Sequence, residues 1–163
     1  MMVRPAVRAD VTVMCAILNE IIEIGGTTAY EQPLSDETFR AHFLEGVDCV
    51  SCIVAENEGQ VLGFQSLEGG APLPSGVVAI ASFAKAGSGV KGVGRSMFAR
   101  TKQIAKDAGF HAIDAKIRAD NDVGLGFYDT MGFVKSEVVR AVPLSDGRLV
   151  DRVIKRYVLR PPR

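Results

Sequence analysis

Between Gly87 and Arg95 the chain reads GSGVKGVGR, which sets Gly87, Gly89, Gly92 and Gly94 beside two cations, Lys91 and Arg95. Such a stretch can bind an anion. Glycines turn the backbone sharply and let it approach a ligand, and the free N–H groups opening a following helix point at negative charge, aided by the helix dipole. A strand-like run, Val77 to Phe83, leads into the glycines, and apolar residues at helical spacing follow them. A pyrophosphate cradle uses all of these features. A merely flexible glycine loop is the plainer alternative.

The elements that position this turn follow from periodicity. Val3 to Val7 starts a first strand, and Asp10 is placed to N-cap a helix carrying Met14, Ile17, Leu18, Ile21 and Ile22, stopped by Gly25 and Gly26. Thr27 to Pro33 is an irregular polar loop of the kind that carries specificity. Ser35 caps a second helix ending near Gly46, with Leu34 and Phe39 as a hydrophobic staple. Val50 to Glu56 and Gln60 to Glu68 read as an antiparallel hairpin around Asn57, Glu58 and Gly59, and Gly69 to Gly76 as a loop. After the glycine turn a helix spans Gly92 to Ala108, Gly109 stops it, and strand Ala112 to Ile117 completes a right-handed βαβ crossover. A short helix capped within Asp120 to Asp122 closes on Gly132 and Phe133, and Val134 to Ala141 and Leu149 to Leu159 form a last hairpin around Ser145, Asp146 and Gly147.

A length of 163 residues suggests one domain, and 47% hydrophobic with 23% charged residues is ordinary for a soluble globular chain. Nineteen basic residues against 19 acidic leave no net charge, which argues against nucleic acid as partner. No apolar run approaches a membrane span, and the first residues lack a signal peptide's apolar middle, so a cytoplasmic address is expected. Cys15, Cys49 and Cys52 are odd in number. The Cys49–Cys52 CxxC lacks further metal ligands and opens a strand-like run, so its thiols read as small apolar strand residues and no metal is expected.

Three phosphate ligands compete for the glycine turn. Gly87, Gly89 and Gly92 spell G-x-G-x-x-G with Asp114 downstream, but a dinucleotide fold sets this turn after its first strand and needs a second half that this chain has no room for. Gly89 to Gly94 followed by Arg95 and Ser96 approaches a P-loop, yet Arg95 replaces the lysine and no apolar run ends in a magnesium-binding Asp. The third reading covers nearly the whole chain. The order β-α-α-β-β-β-α-β-α-β-β, with the glycine turn after the fourth strand and Asn121, Gly124, Tyr128, Gly132 and Phe133 spaced as N-x-x-G-x-x-x-Y-x-x-x-G-F after the fifth, resembles the GNAT superfamily of N-acetyltransferases. The family's loop is Q/R-x-x-G-x-G/A. Gly89, Gly92 and Gly94 fall on its named positions, with Gly89 replacing the basic or amide residue and Ser88, Lys91 or Arg95 available to compensate. Gly124 stands where Ser or Ala is usual. Val3-Arg4-Pro5-Ala6, Thr27 to Glu31, Val54-Ala55-Glu56 with Gly63, and Asp146-Gly147-Arg148 before Asp151 are similar to the phosphinothricin N-acetyltransferase branch. The carboxylate that this branch often carries in its fourth strand would fall near Ala79, which cannot act as a base.

The resemblance implies a single α/β (α+β) domain, with a mixed, mostly antiparallel twisted sheet of about seven strands, four helices, and a splay between the fourth and fifth strands. It implies acetyl-CoA as cosubstrate, a small-molecule primary amine such as an amino acid or analogue as acceptor, and a homodimer. Tyr128 is the implied general acid for the departing thiolate. Backbone groups of Phe83 and Ala84 would meet the pantetheine and acetyl groups, and Gly89, Val90, Lys91, Gly92, Val93, Gly94 and Arg95 the pyrophosphate, with Asn121 and Gly124 also against the cofactor. Asn121 serves equally as a helix cap. Glu31 and Glu68 are the candidates for base or substrate contact, and His42 and His111 lack a nucleophile partner for a hydrolase triad. Two other functions fit the same motifs: a non-catalytic acyl-CoA-binding module, and acetylation of protein N-termini or lysines.

Overall fold

The computed structural model of the chain describes residues 1–159. In chain order its elements are β1 (Met2–Pro5), a 3₁₀ turn (Arg8–Asp10), α1 (Val11–Ile24), α2 (Asp36–Phe43), β2 (Cys49–Asn57), β3 (Gln60–Glu68), β4 (Val77–Ala84), α3 (Val93–Asp107), β5 (Ala112–Arg118), α4 (Asp122–Met131), β6 (Val134–Pro143) and β7 (Leu149–Val158). One seven-stranded sheet has the order β1-β2-β3-β4-β5-β7-β6. Every neighbouring pair is antiparallel except β4 and β5, which run parallel and pair only over Val77–Ala79 and Ala112–Asp114. Beyond Ala79 the two strands part. Residues 80–84 of β4 keep their partners on β3, from Leu67↔Ile80 to Gly63↔Ala84, so their other edge faces the gap with its backbone groups unpaired across it. The expected splay is present.

Each face of the sheet carries an apolar layer. Met14 and Leu18 of α1, Phe39 and Phe43 of α2, and Phe64 and Phe83 of the sheet form one cluster. On the other face Val78, Ile80 and Ile113 pack with Phe98 of α3 and with Tyr128 and Phe133 beside α4. Burying a Phe, Leu or Ile side chain is worth about 1.5–3 kcal/mol, so these two layers hold both edges of the gap in place. Gly63 brings α3 down onto the sheet: a Cβ there would lie 2.7 Å from the Phe83 carbonyl oxygen and 3.2 Å from Met97 and Val93.

Local signals set most boundaries. Ser35 Oγ accepts the Thr38 N–H at 3.1 Å, and Leu34 packs on the cluster that holds Phe39, as a staple requires. Glu58 and Gly59 both have positive φ, 51° and 78°, which makes the β2–β3 connection a two-residue I′-type turn. Asp10 departs from expectation. Its carboxylate does not cap α1; it accepts the Val7 N–H at 2.8 Å and two bonds from the Arg4 guanidinium at 2.8 and 2.9 Å. Arg4 holds that carboxyl below the usual carboxylate range. The first strand accordingly ends at Pro5, before the 3₁₀ turn, and β6 runs past Ala141 to Pro143 through a bulge. Cys49 and Cys52 are free thiols of β2; burial raises both, Cys52 to about 12, so neither is a ready thiolate. No helix of the described residues is long and apolar enough to cross a membrane.

Candidate active site

Where β4 and β5 part lies a cavity of about 770 Å³. Ile80–Ala84 line its seam. One wall holds Gly92, Gly94 and Arg95 at the start of α3, with Gly124, Gly126, Phe127 and Tyr128 of α4. The opposite wall holds Ile21 and Ile24 of α1, the loop residues 27–30, Lys116 and Arg118 of β5, and Arg152 of β7. Strand alternation explains the division: Ala115 and Ile117 point into the layer under α3 and α4, which turns Lys116 and Arg118 to the other face.

The first wall is largely backbone. Gly92 enters α3 with φ +79°, a conformation that glycine adopts without cost, and the first helical bond is Ser96 N–H to Gly92 O at 2.9 Å. The N–H groups of Val93, Gly94 and Arg95 therefore have no acceptor within the helix. Val93 contributes backbone alone, since its side chain is buried with Met97 and Ile53. Arg95 lines the cavity, whereas Gly89 and Lys91 are exposed outside its lining. The Val90 N–H donates to Ser88 Oγ at 3.3 Å within the loop. Of Ser88, Lys91 and Arg95, Arg95 is the one in the cavity lining.

Tyr128 is buried against Phe127 and Phe133, and its hydroxyl donates to Ser82 Oγ at 3.0 Å. Burial pushes it up to about 12, with the Ser82 hydrogen bond pulling the other way. At neutral pH it is a proton donor. Gln65, fully buried on β3 opposite Ser82, donates Nε2 to the same Oγ at 3.0 Å, while its Oε1 has no partner. Sequence reasoning missed both residues. The available signal was a polar residue inside each of two largely apolar strands, Ser82 on β4 and Gln65 on β3.

Asn121 belongs to the protein's own framework. Its Oδ1 accepts the Gly124 N–H at 2.9 Å, and its Nδ2 donates to the Thr27 carbonyl at 3.0 Å, so it caps α4 and ties down the α1–α2 loop. Gly124 is explained by the same side chain, because a Cβ there would sit 2.4 Å from Asn121 Nδ2. Gly126 is different: a Cβ would meet nothing within 4 Å, on the cavity side of the helix.

Neither predicted carboxylate reaches the cavity. Glu31 accepts the Ser145 N–H and Oγ–H at 2.9–3.0 Å, joining the α1–α2 loop to the β6–β7 turn. Glu68 lies 3.5 Å from His42 Nε2, whose other partner is the Tyr30 hydroxyl at 3.1 Å. Among the described residues the lining holds four cations, Arg95, Lys116, Arg118 and Arg152, and no Asp or Glu. Phe83, Ala84, Gly92, Gly94, Arg95, Asn121, Gly124 and Tyr128 are the predicted site residues that the fold brings together there.

A sheet that opens between two parallel strands, with bare helix N–H groups on one wall and a buried tyrosine hydroxyl beside the gap, offers a cleft suited to an extended anionic ligand. Residues 17–133 match the Acetyltransferase (GNAT) family, and the chain belongs to that family. A search of curated proteins returns no match. Among solved structures, ribosomal-protein-alanine N-acetyltransferase from Brucella melitensis superposes with TM-score 0.86 at 24% identity, over 97% of this chain and 99% of that one. The Salmonella typhimurium protein yncA, solved with its cofactor acetyl-CoA, gives 0.84 at 22% over 100% and 96%. A phosphinothricin acetyltransferase from Sinorhizobium meliloti in complex with acetyl-CoA gives 0.84 at 21% over 96% and 87%.

Proposed function

We propose that this enzyme moves the acetyl group of acetyl-CoA to the primary amine of a small molecule, an amino acid or an analogue of one. The observation that carries the reading is the open β4 edge, with Tyr128 and Ser82 on one side of it and a cation-lined chamber on the other. Bound in the gap, acetyl-CoA supplies the acetyl thioester. Arg95 and the N–H groups of Val93 and Gly94 suit its pyrophosphate, and the unpaired groups of Ile80–Ala84 suit its pantetheine arm and carbonyl.

Attack needs a neutral amine, aligned with the carbonyl, and a proton for the sulfur that leaves. Lys116 favours the neutral form, because nearby positive charge lowers an ammonium's pKa. With no carboxylate in the lining, the amine's proton passes to water. Tyr128 turns its proton from Ser82 to the sulfur, and Ser82, still held by Gln65, marks where the hydroxyl rests between turnovers. Acetylation of a protein N-terminus or lysine would call for an acidic groove beside Thr27 to Glu31, and the cationic lining favours the small molecule instead.

The resemblance also supports a homodimer working in the cytoplasm; light scattering checks the assembly. Thiol release from acetyl-CoA over a panel of primary amines tests the activity. Turnover that disappears in Tyr128→Phe upholds it, whereas acetyl-CoA binding with no turnover on any amine points to a non-catalytic module.

A further inference from the structure

Arg152 is buried to 8% exposure on β7, an interior strand flanked by β5 and β6, and it lines the cavity. Its Nε has no hydrogen-bond partner, and it forms no salt bridge among the described residues. Its direct neighbour across the ladder is another buried guanidinium, Arg118, at 7% exposure. The two differ in one respect. Arg118 is neutralised: Nε and Nη2 donate to Asp120 at 2.9 and 2.8 Å, and Nη1 reaches the Thr28 carbonyl at 3.4 Å. Arg152 has no such carboxylate partner, and Lys116 also lies in the lining.

A buried guanidinium without a counter-ion, next to a second guanidinium, is strongly disfavoured unless an anion joins it during function. Arg is also the side chain whose fork matches a carboxylate in two parallel hydrogen bonds. We propose that Arg152 binds a carboxylate of the acceptor, so that the enzyme selects amino acids over amines that lack an acid group. Arg118, anchored by Asp120 and Thr28, is the positioning residue that fixes the loop over this side of the chamber. The proposal deepens the transferase reading and rests on it for the identity of the acceptor. It concerns the wall opposite α3 and α4, so it leaves the donor's binding untouched.

The test compares each common amino acid with its decarboxylated amine, by thiol release at saturating acetyl-CoA. The wild type is expected to favour the acid by about 100-fold in kcat/KM, the scale of one charge-assisted bidentate contact. Arg152→Gln is expected to raise KM for the acids by that factor, with kcat for uncharged amines and acetyl-CoA affinity within about threefold of wild type. Arg152→Lys, which keeps the charge, should fall between and serves if the glutamine variant does not fold. A wild type that prefers the decarboxylated amines, or an Arg152→Gln that slows both classes equally, overturns the proposal. Titration of the amino acids into CoA-loaded protein reads the site without turnover. Binding lost in Arg152→Gln upholds the carboxylate site even where no product forms, in which case it is the transferase reading that falls; no binding and no turnover of any amino acid overturns the site.

Discussion

On the α3/α4 side the cavity wall is made from consecutive residues: Gly92 to Arg95 in one turn, and Gly124 to Tyr128 within one helix. On the α1–α2 side it is assembled from three segments far apart in the chain, Thr28, Lys116 with Arg118 on β5, and Arg152 on β7, which meet because β7 inserts between β5 and β6. The first wall offers backbone N–H groups, one phenol and the Arg95 guanidinium; the second offers guanidinium and ammonium groups on rigid strands. A donor common to many enzymes suits the first construction, since backbone is insensitive to side-chain change. An acceptor particular to one enzyme suits the second.

This contrast makes the two walls separable by mutation. Tyr128→Phe has the largest expected effect, a fall in kcat of about 10²–10³-fold for loss of the general acid, with acetyl-CoA affinity and acceptor KM nearly unchanged by titration and steady-state kinetics. A variant that loses acetyl-CoA binding instead would make Tyr128 part of the donor's seat. Gly92→Val comes next: a β-branched residue at φ +79° strains the entry to α3, and acetyl-CoA affinity should weaken by about 30-fold, about 2 kcal/mol, while acceptor KM holds. Glu31→Ala should act the other way, raising acceptor KM about three- to tenfold by freeing the loop from Ser145, with the donor's affinity unaltered.

The pH profile sharpens the chemistry of the gap. With Tyr128 pushed up to about 12 by burial, its acidic form persists across the accessible range. kcat/KM should therefore rise with pH as the free amine deprotonates and then level, with no descending limb below about pH 10, where an ordinary tyrosine would begin to ionise. A descending limb near neutrality would assign the acid to another group. Stability has its own dependence at the far edge of the sheet. Arg4 holds Asp10 below the ordinary carboxylate range, so its contribution is full above about pH 4 and is lost as pH falls below that. Asp10→Asn should cost about 1.5–3 kcal/mol in urea melts at pH 7 and progressively less as pH falls below about 4.

The α3/α4 wall was legible in the sequence because glycine, caps and helical spacing act over a few residues. Ser35, Gly92, Gly109 and Gly132 each specify the local backbone wherever the chain goes. The opposite wall was not, because alternation along β5 relates Lys116 to Arg118 but says neither that Arg152 of β7 pairs beside them nor that residues 27–30 roof this face. Asp10 looked like a cap until the fold brought Arg4 to it, and Gly124 looked shaped by a ligand until Asn121 was seen to fill the space. Glu31 was a reasonable base by type; long-range pairing with Ser145 gave it a structural role instead.

The separation of donor and acceptor walls is tested most directly by calorimetric titration of acetyl-CoA into the wild type and Gly92→Val. One site per chain with a dissociation constant in the micromolar range, about −7 to −8 kcal/mol, weakened about 30-fold in the variant, is the expected result. No binding to the wild type below millimolar concentration, or equal affinity in the two proteins, would contradict it.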